Sequence, residues 1–198
     1  MKKLVLYSFI LMMSQCNKYD DTQLAAHLQV PPYTETGANT FGCLVNGAAW
    51  ANLGETFVHQ ELGGSLVPNV VTSLLTYDSA NADSDYTVTA TLTVSKQGSV
   101  LRQERMIFDL PVAANSPLKG VHQLTSADYL FTYSYYGSSS NGYYNSLIRN
   151  PFTITIKKDS LLSNQQRIVS GTFSGTLYTR DQTDSVRIVG GVFDTLVK

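Results

Sequence analysis

The sequence predicts an all-β fold, and two observations carry that prediction. Several segments alternate apolar and polar residues with a period of two, the pattern of a strand with one buried and one solvated face. No segment has a convincing apolar period of 3.6 residues, which would indicate an amphipathic helix. We therefore expect an antiparallel two-layer sandwich or flattened barrel of about nine or ten strands, built by residues 40–198 as one domain.

The first predicted element is a tight hairpin near the start of the domain. Residues 41–46, FGCLVN, read as a strand, and the return strand covers residues 48–51. The dipeptide Asn46-Gly47 between them favours a two-residue turn, because both residues tolerate a positive φ. Trp50, the only tryptophan of the chain, is expected to pack into the core.

The clearest strand lies in the middle of the chain. The segment YTVTATLTVSK, residues 86–96, places apolar residues on one face and threonines on the other. Residues 96–99 form a turn, and VLRQERMIFDL returns over residues 100–110, where Pro111 is expected to end the strand. A short helix is the expectation for residues 125–130.

The C-terminal region predicts a strand and a long hairpin. PFTITIKK, residues 151–158, repeats the alternation, with Phe152, Ile154 and Ile156 facing inward. Residues 167–179 and 185–197 form the hairpin arms around a turn at residues 181–184. Each arm has a glycine two residues before a phenylalanine, and we interpret these glycines as positions where the sheet curls over the core.

The N-terminus has the layout of a secretory signal. Met1-Lys2-Lys3 is followed by about ten apolar residues, too few for a membrane-spanning helix, which needs roughly 20. We predict a signal peptide over residues 1–15. Residues 16–39 are polar and aperiodic, with Pro31-Pro32, and are expected to form a flexible tether.

The end of this signal, Met13-Ser14-Gln15-Cys16, resembles a bacterial lipoprotein signal, although Gln15 stands where that pattern prefers a small residue. The resemblance implies that Cys16 carries acyl chains such as palmitate. The following residues, NKYDD, resemble the export signal of Bacteroidetes surface lipoproteins. RIVSGTF at residues 167–173 and RIVGGVFD at residues 187–194 are similar to strands of small Bacteroidetes lipoproteins of unknown function. These resemblances imply an outer-membrane, lipid-anchored, cell-surface location and supply no catalytic residues.

The composition argues against several function classes. The formal net charge is −1 with no long basic run, so nucleic acid is not an expected partner. Three histidines, no G-x-S-x-G motif, no zinc-ligand spacing and no cysteine pair in the mature chain predict a protein that is not an enzyme and has no metal or cofactor. A carboxylate pair drawn from Glu55, Glu61, Glu104 and Asp109 keeps a hydrolase as the least favoured alternative.

One segment is unusual. YLFTYSYYGSSSNGYYNS, residues 129–146, holds five tyrosines on the two sides of a Gly/Ser/Asn loop: Tyr133, Tyr135, Tyr136, Tyr143 and Tyr144. Tyrosine suits recognition of a glycan or a protein because it is rigid, flat and carries a hydroxyl. The alternative is a long hairpin with tyrosines stacked across its strands, half of them in the core.

The sequence thus favours a non-catalytic, lipid-anchored binding or structural domain at the outer-membrane surface. A lipocalin-like carrier of a small apolar ligand is the alternative, and it predicts a barrel with an interior void.

Overall fold

The structure is a computed structural model that describes residues 28–52, 64–66, 71–78, 83–96, 99–113, 118–124, 130–137, 141–147 and 150–197. The predicted signal peptide, Cys16, the tether up to residue 27, and the acids Glu55 and Glu61 lie outside these residues. Residues 125–129 of the expected helix do so as well.

The described residues form twelve strands. In chain order they are β1 Thr40–Val45, β2 Ala48–Asn52, β3 Gly64–Leu66, β4 Val71–Asp78, β5 Asp83–Lys96, β6 Ser99–Ala113, β7 Gly120–Leu124, β8 Phe131–Gly137, β9 Asn141–Asn145, β10 Phe152–Leu161, β11 Arg167–Tyr178 and β12 Ser185–Val197.

The strands pair antiparallel into one sheet that curls into a flattened, nearly closed barrel, which confirms the predicted fold class. The main path is β2-β1-β12-β11-β9-β8-β6-β5-β3, and β4 also pairs with β5. The sheet divides at β11, because β10 pairs with most of β11 and carries β7, whereas β9 meets β11 only at Tyr178. Strands β3, β4 and β7 were not predicted, and β6 continues past Pro111 to Ala113.

Phenylalanine rings from six strands fill the described part of the interior. Neighbouring rings have centroid distances of 4.0–6.5 Å and belong to Phe41, Phe108, Phe131, Phe152, Phe173 and Phe193. The shortest distance, 4.0 Å, joins Phe131 of β8 to Phe152 of β10 and so connects the two branches of the divided sheet. Trp50 is 3% exposed and meets Phe41 edge-on, which confirms its predicted place in the core.

A buried hydrogen bond links β5 to β12 across the interior. The Tyr86 hydroxyl lies 2.5 Å from Thr195 Oγ1, and the Thr195 hydroxyl donates to the carbonyl of Val169 at 2.9 Å. Because Thr195 uses its only proton on Val169, Tyr86 is the donor in the first bond. Since β4 pairs with β5 and also lies close to β12, this contact is at the place where the two ends of the sheet approach each other.

The segment before β1 packs on the barrel. Asp194, 1% exposed on β12, accepts six hydrogen bonds of 2.6–3.3 Å from residues 34–38 and from Ser170. Leu28 also packs against the core. The boundary predicted at residue 40 is therefore too late, because a buried carboxylate holds residues that were expected to be a flexible tether.

The pKa of Asp194 follows from these contacts. Burial raises it, but the hydroxyls of Ser170 and Thr34 and the amides of Thr36 and Ala38 stabilise the carboxylate more strongly and lower the pKa from 3.8 to about 2. The stabilisation is complete above pH 3.8 and is lost as the pH falls toward 2. Its size is on the order of 2 kcal/mol.

We predict that Asp194→Asn lowers the free energy of unfolding at pH 7 by about 2–4 kcal/mol, because an amide nitrogen cannot accept the hydrogen bonds that this carboxylate receives. Urea denaturation at a series of pH values measures the effect. The wild type should lose stability between about pH 4 and pH 2 more steeply than the variant.

The control is Asp181→Asn in the exposed turn before β12, which should leave the urea midpoint unchanged. Asp159 also contributes to the pH dependence of stability, and its contribution is the same in wild type and Asp194→Asn. Subtracting the unfolding free energies of Asp194→Asn from those of the wild type at each pH removes it. Burial raises the pKa of Asp159, but its ion pair with Arg167 lowers it overall. Equal acid sensitivity of wild type and Asp194→Asn would show that residues 34–38 are held by something other than this charge.

Candidate functional site: the two faces of the tyrosine hairpin

Strands β8 and β9 form the hairpin predicted from the tyrosine-rich segment, and the strand register divides its five tyrosines between two faces. Tyr133 lies opposite Tyr144, and Tyr135 lies opposite Gly142, all on the interior face. Tyr143 lies opposite Ser134 and, with Tyr136, on the outer face. The structure therefore confirms a hairpin with tyrosines stacked across its strands, with three tyrosines inside and two outside.

The three interior tyrosines form one stacked group. The ring centroids of Tyr133, Tyr135 and Tyr144 are 6.1–6.3 Å apart in each pair. Tyr135 lies over Gly142 so closely that a β-carbon at that position would overlap its ring. The ring thus replaces the missing side chain of the glycine on the facing strand. This packing gives the inner tyrosines a structural role at one end of the barrel.

A buried carboxylate contacts the stacked group of inner tyrosines. Glu104 of β6 is 2% exposed, accepts a 2.6 Å hydrogen bond from the Tyr133 hydroxyl and pairs with Arg102. Burial, and then the charge of Glu104, raise the pKa of Tyr133 well above its ordinary value, so the phenol stays protonated and donates. Both carboxylate oxygens therefore have a partner, as a buried charge requires.

A hydrogen bond connects Tyr144, another inner tyrosine, to the C-terminal hairpin. The Tyr144 hydroxyl donates to the Asp184 carboxylate at 2.8 Å, just before β12. This hydrogen bond, followed by burial, raises the pKa of Tyr144. Tyr133 and Tyr144 thus both direct their hydroxyls to carboxylates of the same chain, which leaves the outer tyrosines as the better candidates for ligand contact.

The outer face of the hairpin continues across β6. Tyr136 and Tyr143 are 64% and 56% exposed. The register places Gln103 beside Tyr136, and Arg105 beside Ser134, which is itself beside Tyr143. We call Tyr136, Tyr143, Ser134, Gln103 and Arg105 the outer tyrosine face. Sequence reasoning missed Gln103 and Arg105, although the alternation of β6 already placed them on the face opposite Met106, Phe108 and Leu110.

The electrostatics of the two faces differ. On the interior face, Arg102 is neutralised by Glu104. On the outer face, Arg105 is exposed and has no ion pair with any residue that the structure describes. The acid of β6 on the same side, Asp109, accepts a 2.6 Å hydrogen bond from Thr87. The outer tyrosine face therefore presents one unpaired positive charge between polar and aromatic groups.

Of the four acids considered for catalysis, the two that the structure describes do not converge. Glu104 faces the interior, and Asp109, five residues along the same strand, faces outward, so these two carboxylates cannot flank one substrate bond. His122 Nε2 lies 2.6 Å from the carbonyl of Leu118. Cys43 is fully buried, and burial followed by the charge of Glu104 raises its pKa, which makes it a poor nucleophile. In the described ranges no group of three or more His, Cys, Asp or Glu could hold a metal ion.

Comparison with known proteins adds no relative: no protein-family model, no curated protein and no solved structure matches the chain. Within the residues described, no helix has the length and apolar character needed to cross a bilayer. The functional argument therefore depends on the residues of this chain alone.

We predict that Tyr133→Phe lowers the free energy of unfolding by about 1–3 kcal/mol, because Glu104 stays buried but loses a donor to one of its oxygens. Thermal and urea denaturation measure the change. Tyr136→Phe is the matched control: it removes a hydroxyl from the exposed face and should change stability by no more than about 0.5 kcal/mol. Equal effects of the two variants would contradict a structural role for the Tyr133–Glu104 bond.

Proposed function

We propose that this protein is a non-catalytic binding domain, held at the outer-membrane surface by lipid on Cys16, that contacts its ligand through the outer tyrosine face. The observation that carries the proposal is the pair of exposed rings, Tyr136 and Tyr143, on a sheet face that also presents the unpaired Arg105. An aromatic ring that stays exposed in the free protein forgoes the free energy that burial would provide. Clusters of such rings are typical of recognition surfaces.

The packing of the interior supports this proposal over a lipocalin-like carrier. A carrier needs an interior void lined by apolar side chains. In the described part of the barrel, Phe108 and Phe173 lie within 6.5 Å of several other rings at the centre, so aromatic side chains occupy the space that a small ligand would need. The opposite faces of Glu104 and Asp109 likewise favour binding over hydrolysis.

The location rests on the N-terminal sequence, where a positively charged start and an apolar run precede Cys16. Two or more acyl chains hold a protein stably on a membrane, whereas one holds it marginally. The alternative location is the periplasm, which would apply if Gln15 prevents lipoprotein processing.

For location, we expect radiolabelled palmitate to enter the wild-type protein in its native host and to be absent from Cys16→Ser. Cys43→Ser is the control, since it removes the other cysteine and should keep the label. Protease treatment of intact cells should degrade the labelled protein if it faces the medium. Absence of label from the wild-type protein would contradict the lipid anchor. Resistance of the labelled protein to protease in intact cells would contradict the surface location.

For binding, we expect screens of envelope glycans and surface proteins to find a ligand whose affinity falls about tenfold in Tyr136→Ala and in Tyr143→Ala, since each ring contributes on the order of 1 kcal/mol or more. Tyr33→Ala is the control and should bind normally, since the Tyr33 ring lies elsewhere on the barrel, under the Lys157 ammonium group. Circular dichroism checks that all variants fold. A ligand that all three variants bind with wild-type affinity would place the binding site elsewhere.

A further inference from the structure

We infer that the ligand of the outer tyrosine face is an acidic polysaccharide, a chain of sugar rings that carry carboxylates. This inference rests on the proposed function and narrows it to one ligand class. Three features of the face support it: the placement of the rings, the isolated charge of Arg105, and the chemistry of the side chains around them.

The two exposed rings are placed to contact successive units of an extended chain. Tyr143 is opposite Ser134, and Tyr136 is two residues further along β8, so the tyrosines occupy diagonal positions on the sheet. Diagonal neighbours have backbones about 7–8 Å apart, so both exposed rings can contact one extended ligand. The apolar face of a pyranose can stack on each ring while its hydroxyls remain at the edges.

Arg105 supplies the charge selectivity. It is beside Ser134 and diagonal to Tyr136, and it has no ion pair in the described part of the chain. The carboxylate of Asp109 is four residues away on the same strand face, about 13 Å along the strand, and Thr87 donates a hydrogen bond to it. A guanidinium binds a carboxylate through two parallel hydrogen bonds, so a uronic acid unit stacked near Tyr136 would complete the pair.

The remaining side chains favour a glycan over a protein. Gln103 and Asn141 are exposed and Thr91 and Ser134 are half-buried, so most side chains near the two rings are hydroxyls and amides. The apolar residue of this face of β6 is the half-buried Ile107. These groups can donate to and accept from sugar hydroxyls. The centre of a protein interface is normally more apolar than this surface. Nucleic acid, the other chain that stacks on aromatic rings, requires several cations along its path, whereas the face has one and the formal net charge is −1.

The test is isothermal titration of the purified full-length protein, in detergent micelles, with polygalacturonate and with its fully methyl-esterified form. Esterification keeps the sugar chain and removes the charge. We expect the wild type to bind polygalacturonate at least fivefold more tightly than the ester. Arg105→Gln should weaken binding of polygalacturonate about fivefold and leave binding of the ester unchanged. Tyr136→Ala should weaken both. Arg187→Gln, an exposed arginine of β12, is the matched control and should change neither.

Four other outcomes are possible, and each contradicts the acidic ligand, the glycan ligand or the proposed function itself. Equal affinity for acid and ester, with no effect of Arg105→Gln, overturns the acidic ligand but keeps glycan binding by this face. Binding of polygalacturonate and dextran sulfate that survives Tyr136→Ala and Tyr143→Ala overturns the inference, because charge alone then explains it. No binding of polygalacturonate, alginate or hyaluronan, together with tyrosine-dependent binding of a protein, overturns the glycan and leaves the proposed function standing. The absence of any ligand that depends on Tyr136 or Tyr143 overturns both.

Discussion

The barrel depends on a reciprocal packing of glycine and phenylalanine in the hairpin of β11 and β12. Gly171 pairs with Phe193, and Phe173 pairs with Gly191. A β-carbon on Gly171 would lie 2.8 Å from Phe193 Cζ, and one on Gly191 would lie 2.5 Å from Phe173 Cε2. Each ring therefore lies over the glycine of the facing strand. Because both rings occupy that space, Phe173 also comes within 4.7 Å of the Phe41 ring, and the aromatic core closes around the hairpin.

The opposite face of the same hairpin holds the chain that leads to the proposed lipid anchor. Asp194 follows Phe193 and faces outward, where residues 34–38 cover it. One strand thus fixes the core with one side chain and the N-terminal segment with the next. The described chain begins at Leu28, twelve residues after Cys16, and twelve residues can extend to at most about 43 Å. Under the proposed function, this contour length limits how far the barrel lies from the membrane, because Leu28 already packs against the core.

The sequence predicted the strands whose alternation is strong, and physical reasons explain the others. β5, β6, β10, β11 and β12 have clear alternation, whereas β7 has only five residues and β4 lacks a regular polar face. The capture of residues 34–38 by Asp194 joins positions more than 150 residues apart, which a period within one segment cannot reveal. Tyr133 and Tyr136 are three residues apart, so any strand places them on opposite faces. Which of those faces is interior depends on pairing with β6, a long-range property.

The same alternation separates structural charges from the charge available to a ligand. Glu104 and Arg105 are consecutive, so their side chains leave β6 on opposite faces. The interior acid must have partners because an unpaired buried charge is very costly, and Arg102 and Tyr133 supply them. No such requirement acts on Arg105, since water solvates it, and its charge is free to pair with a carboxylate from outside. Two of the three inner tyrosines, Tyr133 and Tyr144, likewise donate to carboxylates of the chain. Under the proposed function, the outer rings and Arg105 are therefore the groups of this sheet that contact the ligand.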